Sequence, residues 1–295
     1  MSKINNRIAV ERKLSAKEAT AMVGQTVEAL EPNLKPGTVL SDAESGETLL
    51  AYLPLEDAGR LRRAVMGLDY GAGLGRQKNY RSKSRTFGYA PKRPVVLREG
   101  CAMSSIASTM PDLEKTLEDY ADIFSEDINE IDPEIAPRDR DALKDVLPDW
   151  RMGKAKVWTS GVINDTAALP YHRDGFNFPT WSAMPVVRRG VRGGHLHLPE
   201  YDLVIPCADS TVTFFPGYKY VHGVTPITRT GKTEAERKKA YRVSIVYYAL
   251  KGMKNCREYA EETALSRQRR TERELDMAKR LASGDRSIKG ATKKK

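Results

Sequence analysis

The chain is predicted to be an α+β protein built on a double-stranded β-helix, the jelly-roll form, with supporting helices before it and a charged helix after it. Three observations carry this expectation. From residue 155 onward the apolar period becomes two, in seven short runs: 156–163, 182–187, 194–198, 202–205, 211–215, 221–225 and 241–250. Turn signals separate these runs at Pro170, Pro179, Gly193-Gly194, Pro206, Pro216-Gly217 and Thr230-Gly231. Helical spacing is confined to the flanks, and many short strands at this interval close into a sandwich or barrel.

In chain order, Ser15-Ala16-Lys17-Glu18 has the form of a capping box, and the helix it opens is expected to run over 15–30 until Glu31-Pro32 stops it. Short strands are expected at 37–40 and 48–53, and Leu55, Ala58, Leu61 and Val65 have helical spacing over 55–66. Pro111 suits a first helical turn, and Leu113, Leu117, Tyr120, Ala121 and Phe124 form an apolar stripe over 111–127. Pro133 and Pro137 interrupt before a further short helix at 138–147. After the strands, 256–281 reads as a charged helix and 283–295 as a disordered tail. The implied organisation is a supporting region 1–154, a jelly-roll core 155–252 and a charged extension 253–295.

The length of 295 residues, 40% of them hydrophobic, fits one large domain or one domain with additions. No apolar run approaches the ~20 residues of a membrane span, and the charged stretch Met1 to Lys13 is unlike a secretory leader, so a cytoplasmic, non-membrane protein is expected. Three scattered cysteines, Cys101, Cys207 and Cys256, argue against a disulfide framework and for a reducing compartment. The net charge of +10 favours a polyanionic partner. Residues 251–295 hold fourteen Lys/Arg against seven Asp/Glu, so most of the excess is C-terminal. Residues 69–94 read as a basic loop: Arg76, Lys78, Arg81, Lys83, Arg85, Lys92 and Arg93 alternate with Tyr70, Tyr80, Phe87 and Tyr89, and Asp69 is the only acid. Cations meet phosphates and aromatic rings stack on bases, so this loop is a candidate nucleic-acid contact. Its glycines match neither a dinucleotide fingerprint nor a P-loop.

All four histidines lie between Tyr171 and Arg242. His172 and Asp174 are two apart, so on a strand they share a face, and His222 follows fifty positions later. Two imidazoles and a carboxylate are the ligands of a facial iron(II) site with positions left open. His195 and His197 also share a face but have no carboxylate partner in the motif; they rank below as ligands, and His195 is a candidate to line the pocket. Arg242 and Ser244 alternate onto one face of an apolar strand, where a guanidinium and a hydroxyl can clamp a carboxylate.

Asn164, the segment Tyr171-His172-Arg173-Asp174-Gly175-Phe176-Asn177, Gly193-Gly194-His195-Leu196 and His222-Gly223-Val224-Thr225-Pro226 together resemble the iron(II)/2-oxoglutarate dioxygenases. Within them the chain is most similar to the TET/JBP branch, oxygenases of 5-methylpyrimidines in DNA, and to its compact phage-type members. The resemblance covers about 156–250. It implies His172, Asp174 and His222 as iron ligands, Arg242 with Ser244 on the distal carboxylate of 2-oxoglutarate, and oxygen as co-substrate. It further implies DNA as the partner, 5-methylcytosine or thymine as the target, a flipped-out base, and action in a bacterial host cytoplasm. Asn164, Arg173, Asn177 and His195 are the candidate substrate contacts; Arg81, Lys83, Arg85, Arg188, Arg189 and Arg192 are the candidates for the DNA backbone. An oxygenase of a small molecule or a protein side chain would use the same core and is the alternative. The twenty residues from His222 to Arg242 are long for the superfamily; 227–239 looks inserted, which leaves Arg229 and Arg237 as other clamp candidates.

Overall fold

The computed structural model of the chain describes residues 2–69, 74–77, 80–92 and 100–284, with the backbone alone for 74–77 and 80–82. The elements before the predicted core are β1 (Asn6–Val10), α1 (Ala16–Ala21), β2 (Thr38–Asp42), β3 (Thr48–Pro54), α2 (Ala58–Val65), β4 (Leu74–Gln77), β5 (Tyr80–Ala90), β6 (Ala102–Met103), α3 (Ser105–Thr109), α4 (Pro111–Ile131) and α5 (Ile135–Ala142). There follow β7 (Ser160–Asp165), β8 (Ser182–Arg189), β9 (Val191–Gly193), β10 (Leu196–Leu198), β11 (Leu203–Ile205), β12 (Thr211–Phe215), β13 (Gly223–Val224), β14 (Ile227–Arg229), α6 (Glu234–Lys238), β15 (Tyr241–Tyr248) and α7 (Tyr259–Ala282).

Among the described residues the architecture is a large, mostly antiparallel sheet in the order β1-β2-β3-β12-β8-β15-β7-β5-β4, with β6 on β5, and a small sheet β11-β10-β13. This mixed α/β arrangement is consistent with a jelly roll. Period-two alternation gives the large sheet two chemically different faces. On the outer face Ala51, Leu53, Phe87, Ile163, Val187, Val212, Phe214, Val243, Ile245 and Tyr247 meet Leu117, Tyr120 and Phe124 of α4 in the main core. Phe124 packs edge-on to both Phe214 and Tyr247, so truncating it costs roughly 3–5 kcal/mol. On the inner face Leu50, Tyr52, Met184 and Val186 pack against Leu196, Leu198, Leu203 and Ile205 of the small sheet. Asn164, Arg188, Arg242 and Ser244 belong to this inner face.

Each predicted strand run overlaps an observed strand, and the helices differ at their ends for identifiable reasons. The N-terminal helix has its capping box but stops at Ala21. The chain beyond it bonds elsewhere: Gly24 N–H donates to Tyr171 O (2.8 Å) and Tyr171 N–H to Gln25 O (3.0 Å), fastening residues 24–25 to the start of the His-x-Asp segment. In α5, Pro137 is part of the first turn rather than an interruption, because a first-turn residue needs no amide donor. The stretch 227–239 forms β14, paired with β9, and then α6. The charged helix is α7; of the expected tail, 285–295 lies outside the described residues.

Two expectations are overturned. The described residues of 69–94 are largely strand rather than loop: β4 pairs with β5, and β5 pairs along β7 in the large sheet. Its alternation of Arg85, Phe87 and Tyr89 with Ser84 and Thr86 is a strand pattern that charge and glycine disguise. Tyr70, Gly71, Gly73, Lys78 and Arg93 from this stretch lie outside the described residues. Two of the three cysteines also do not stay free. Cys101 and Cys256 are joined in a disulfide with Cα atoms 5.7 Å apart, packed with Leu143, Trp150 and Met253, and Cys207 is the free, buried thiol. The scattered cysteines therefore do not mark a reducing compartment. A bridge across 155 residues restricts the unfolded chain by roughly 5 kcal/mol in chain-entropy accounting. Alkylating the unreduced, denatured protein is expected to label one cysteine, Cys207, and all three after reduction; intact-mass spectrometry reads the difference, and three labels without reductant would refute the bridge.

Candidate metal centre

The centre is assembled by a two-residue antiparallel bridge. His172 N–H donates to His222 O (2.8 Å) and His222 N–H to His172 O (2.9 Å), which sets the two rings side by side with centroids 4.3 Å apart. Asp174 follows on the same face, its N–H donating to Gly217 O (3.1 Å). One donor atom from each of His172, Asp174 and His222 lies within 4.8 Å of the others. His172 Nε2 is 3.7 Å from Asp174 Oδ1, and His222 Nε2 is 4.0 Å from Asp174 Oδ2.

Tautomers and burial suit this set to a divalent cation. His172 Nδ1 is 2.8 Å from Pro170 O and His222 Nδ1 is 3.0 Å from Tyr220 O. Each Nδ1–H donates to a carbonyl, so each Nε2 lone pair is turned toward Asp174, the outer-sphere support that histidine ligands need. Burial, and after it the adjacent His172, push the His222 imidazole down to about 4 against the pull of Asp174, so it is an unprotonated donor at neutral pH. Phe215 stands edge-on to His222 at 5.0 Å and closes that side. The side chains of His172 and Asp174 keep 30% and 25% exposure against 6% for His222, so the centre opens on the His172–Asp174 side. Gly217 is needed for space: a Cβ there would lie 2.5 Å from Asp174 Oδ2.

Arg242 and Ser244 project from the inner face of β15, 1% and 5% exposed. Nε and Nη2 of Arg242 are buried with no hydrogen-bond partner among the described residues. Its cross-strand neighbour on β8 is Arg188, so two cations oppose each other in the interior. Like charges so placed are unfavourable unless an anion joins them. Burial, then Arg242, pull the Arg188 guanidinium below its ordinary value. Gly194, at φ +70°, passes so close that a Cβ would meet Arg242 Nε at 2.8 Å. A cationic hollow with unused donors fits the distal carboxylate of a keto acid. Arg229 and Arg237, the other clamp candidates, are exposed, and Arg237 is spent on the carbonyls of Gly231 and Lys232.

The remaining candidates divide. Asn164 of β7 is buried and in register with Ser244 on one side and Ser84 on the other, a polar row on the inner face in which Ser84 was not foreseen. Asn177 is buried three residues after Asp174, held by its N–H to Asp174 O (3.0 Å). His195 has Nδ1 2.8 Å from Pro206 O; burial holds its pKa low, and Arg188 and Arg242 push the same way. His197 is engaged with Tyr171 Oη at 2.6 Å. Arg173 turns away to Glu200 (3.1 Å), a buried acid the sequence did not single out. Among the backbone candidates, Arg188 is directed inward, donating to the carbonyls of Val191, Pro206 and Cys207. Lys83 and Arg85 share strand parity with Phe87, on the face away from the triad. The side chain of Arg81 lies outside the described residues, and Arg189 and Arg192 are exposed.

With this geometry in hand, comparison with known proteins places the fold. No family model matches the chain, and no curated protein does. Among solved structures it is similar to NgTET1 in complex with 5mC DNA, with a TM-score of 0.52 and 17% identity over 82% of this chain and 94% of that one. It also aligns with a 2OG-Fe(II) oxygenase family oxidoreductase from Burkholderia pseudomallei (TM-score 0.44, 14% identity, 68% of this chain and 88% of that one). A 2OG-Fe(II) oxygenase family protein from Caulobacter crescentus aligns at TM-score 0.39 and 13% identity, over 76% and 89% of the two chains. The chain thus shares its fold with NgTET1 and carries a His–Asp–His set able to hold a metal ion.

Two measurements probe the centre. Gly217→Ala, by displacing Asp174, is expected to weaken manganese(II) or cobalt(II) binding at least about tenfold in calorimetry with little change in the circular dichroism spectrum; wild-type affinity would show that the carboxylate is not a ligand. Addition of 2-oxoglutarate with manganese(II) is expected to raise the melting temperature of the wild type by several degrees, because it neutralises the Arg188–Arg242 pair. Arg242→Gln is expected to abolish that shift and to melt no lower than the wild type without ligand.

Proposed function

We propose that this chain is an iron(II)/2-oxoglutarate-dependent oxygenase that hydroxylates the 5-methyl group of a pyrimidine, 5-methylcytosine or thymine, in DNA. The observation that carries the oxygenase reading is the pairing of an open His172–Asp174–His222 set with a buried arginine, Arg242, whose Nε and Nη2 have no partner among the described residues. The DNA reading is supported by the net charge of +10 and by fold likeness to a structure solved with 5mC DNA.

On this reading the two sheets are the walls of a double-stranded β-helix. His172, Asp174 and His222 hold the metal through two Nε2 atoms and a carboxylate oxygen. Iron(II) with 2-oxoglutarate and oxygen supplies the oxidising power for an unactivated C–H bond, with succinate and carbon dioxide released. Arg242 grips the distal carboxylate of the keto acid and Ser244 adds a hydroxyl from the same strand face. Phe215 and the inner-face apolar residues keep water from the buried side of the metal. A base methyl in a duplex cannot reach a centre set back in this way, so the target nucleotide leaves the stack and enters from the side that His172 and Asp174 leave open. Asn177, whose N–H is held by Asp174 O, and Asn164 read the base edge on this proposal.

The test is mass spectrometry of nucleosides from methylated DNA incubated with the protein, iron(II) and 2-oxoglutarate. A gained oxygen on the pyrimidine, with matching succinate, is expected, and His172→Ala is expected to reduce both to background. Oxidation of free nucleosides or of a non-nucleic-acid substrate, with DNA untouched, would instead select the small-molecule or protein-side-chain alternative.

A further inference from the structure

Lys83, Arg85 and Arg188 do not rim the open side of the centre, which leaves the strand-binding surface to be found elsewhere. Phe176 stands out: it is 85% exposed, far more than any other large apolar side chain among the described residues, and it lies two positions after Asp174. Single exposed apolar residues are common, but this one is held out on a tightly bonded turn. Gly175 N–H donates to Arg173 O (2.9 Å), Asn177 N–H to Asp174 O (3.0 Å) and Phe178 N–H to Ala249 O (2.7 Å).

A cationic turn is stapled to this aromatic one. Lys251 N–H donates to Phe176 O (2.9 Å) and Lys251 Nζ to Gly175 O (3.0 Å). Lys251, Lys254 and Arg257 are exposed, and none forms an ion pair with the described residues. The turn is anchored from below by buried Met253 and by Cys256 in its disulfide. Behind it a cavity of about 400 Å³ is lined by Lys92, Arg257 and Arg269 together with one acid, Glu262. That acid is already engaged, accepting from the N–H groups of Cys101 and Arg257, each at 3.0 Å.

We propose that Phe176 and the turn Lys251, Lys254 and Arg257 form the surface on which the nucleic-acid strand docks beside the metal centre. The phenyl ring stacks on a base next to the target nucleotide, and the cations take the phosphates that follow. An aromatic ring fixed next to an uncompensated row of cations matches the alternation of flat base and charged phosphate along a strand. This inference rests on the DNA reading above and adds to it where, and with which residues, the strand is held.

Fluorescence anisotropy of a labelled methylated oligonucleotide, single- and double-stranded, over a salt series tests it on the full chain. Phe176→Ala is expected to weaken binding at least about fivefold, and Phe176→Tyr to restore it. Lys254→Glu/Arg257→Glu is expected to weaken it more than tenfold and to lower the slope of log affinity against log salt by about 2. Both variants should keep the wild-type melting temperature and its shift with manganese(II) and 2-oxoglutarate, which shows that the fold and the centre are intact. Wild-type affinity in either variant, with the wild type binding DNA, overturns this surface and leaves the DNA reading standing. A wild type that binds no oligonucleotide overturns both.

Discussion

Two backbone hydrogen bonds between His172 and His222 are the constraint on which the site depends. They join residues fifty apart, and once they form, the pleat decides the rest: both rings lie on one side, and Asp174, two residues on, falls on that side too. The bridge is itself held by its surroundings. Tyr171 is fastened to Gly24 and Gln25, and Asp174 to Gly217, so the N-terminal segment and the turn after β12 both brace the ligands. Neither Nδ1 is left to chance, since each meets a carbonyl two residues back.

The large sheet serves the site by keeping its two faces chemically apart. Its outer face spends aromatic and branched side chains on α4 and supplies most of the core. Its inner face carries the row Ser84, Asn164 and Ser244 and the facing pair Arg188 and Arg242. Buried polar groups without partners oppose folding, so Nε and Nη2 of Arg242, unpaired among the described residues, cost stability that the proposed keto-acid carboxylate would offset. The glycines at 194 and 217 belong to the same compromise, each removing a side chain that would strike a functional one.

Charge is distributed by role rather than spread evenly. Arg173 and Arg188 are consumed internally, by Glu200 and by backbone carbonyls. The cations of the turn after β15 remain at the surface, next to Phe176 and close in the chain to the disulfide that fixes them. A net charge of +10 therefore says less about recognition than the few positions where an exposed cation has no ion-pair partner among the described residues.

The sequence by itself determined the strand-rich core, the His-x-Asp pair and the Arg242–Ser244 strand face, because each follows from short-range periodicity or from two or three neighbouring residues, while His222 was legible only through the family resemblance. It did not reveal that β4 and β5 are paired strands of the main sheet, since arginines and glycines mask the alternation and the partner of β5, β7, is about eighty residues away. Nor did it reveal the Cys101–Cys256 bridge, the inward turn of Arg188 or the solvent-facing ring of Phe176. Those were decided by tertiary structure alone: whether a cation is spent or free, a thiol paired or single, and a ring packed or bare depends on what long-range contacts bring beside it, and residue type does not encode that.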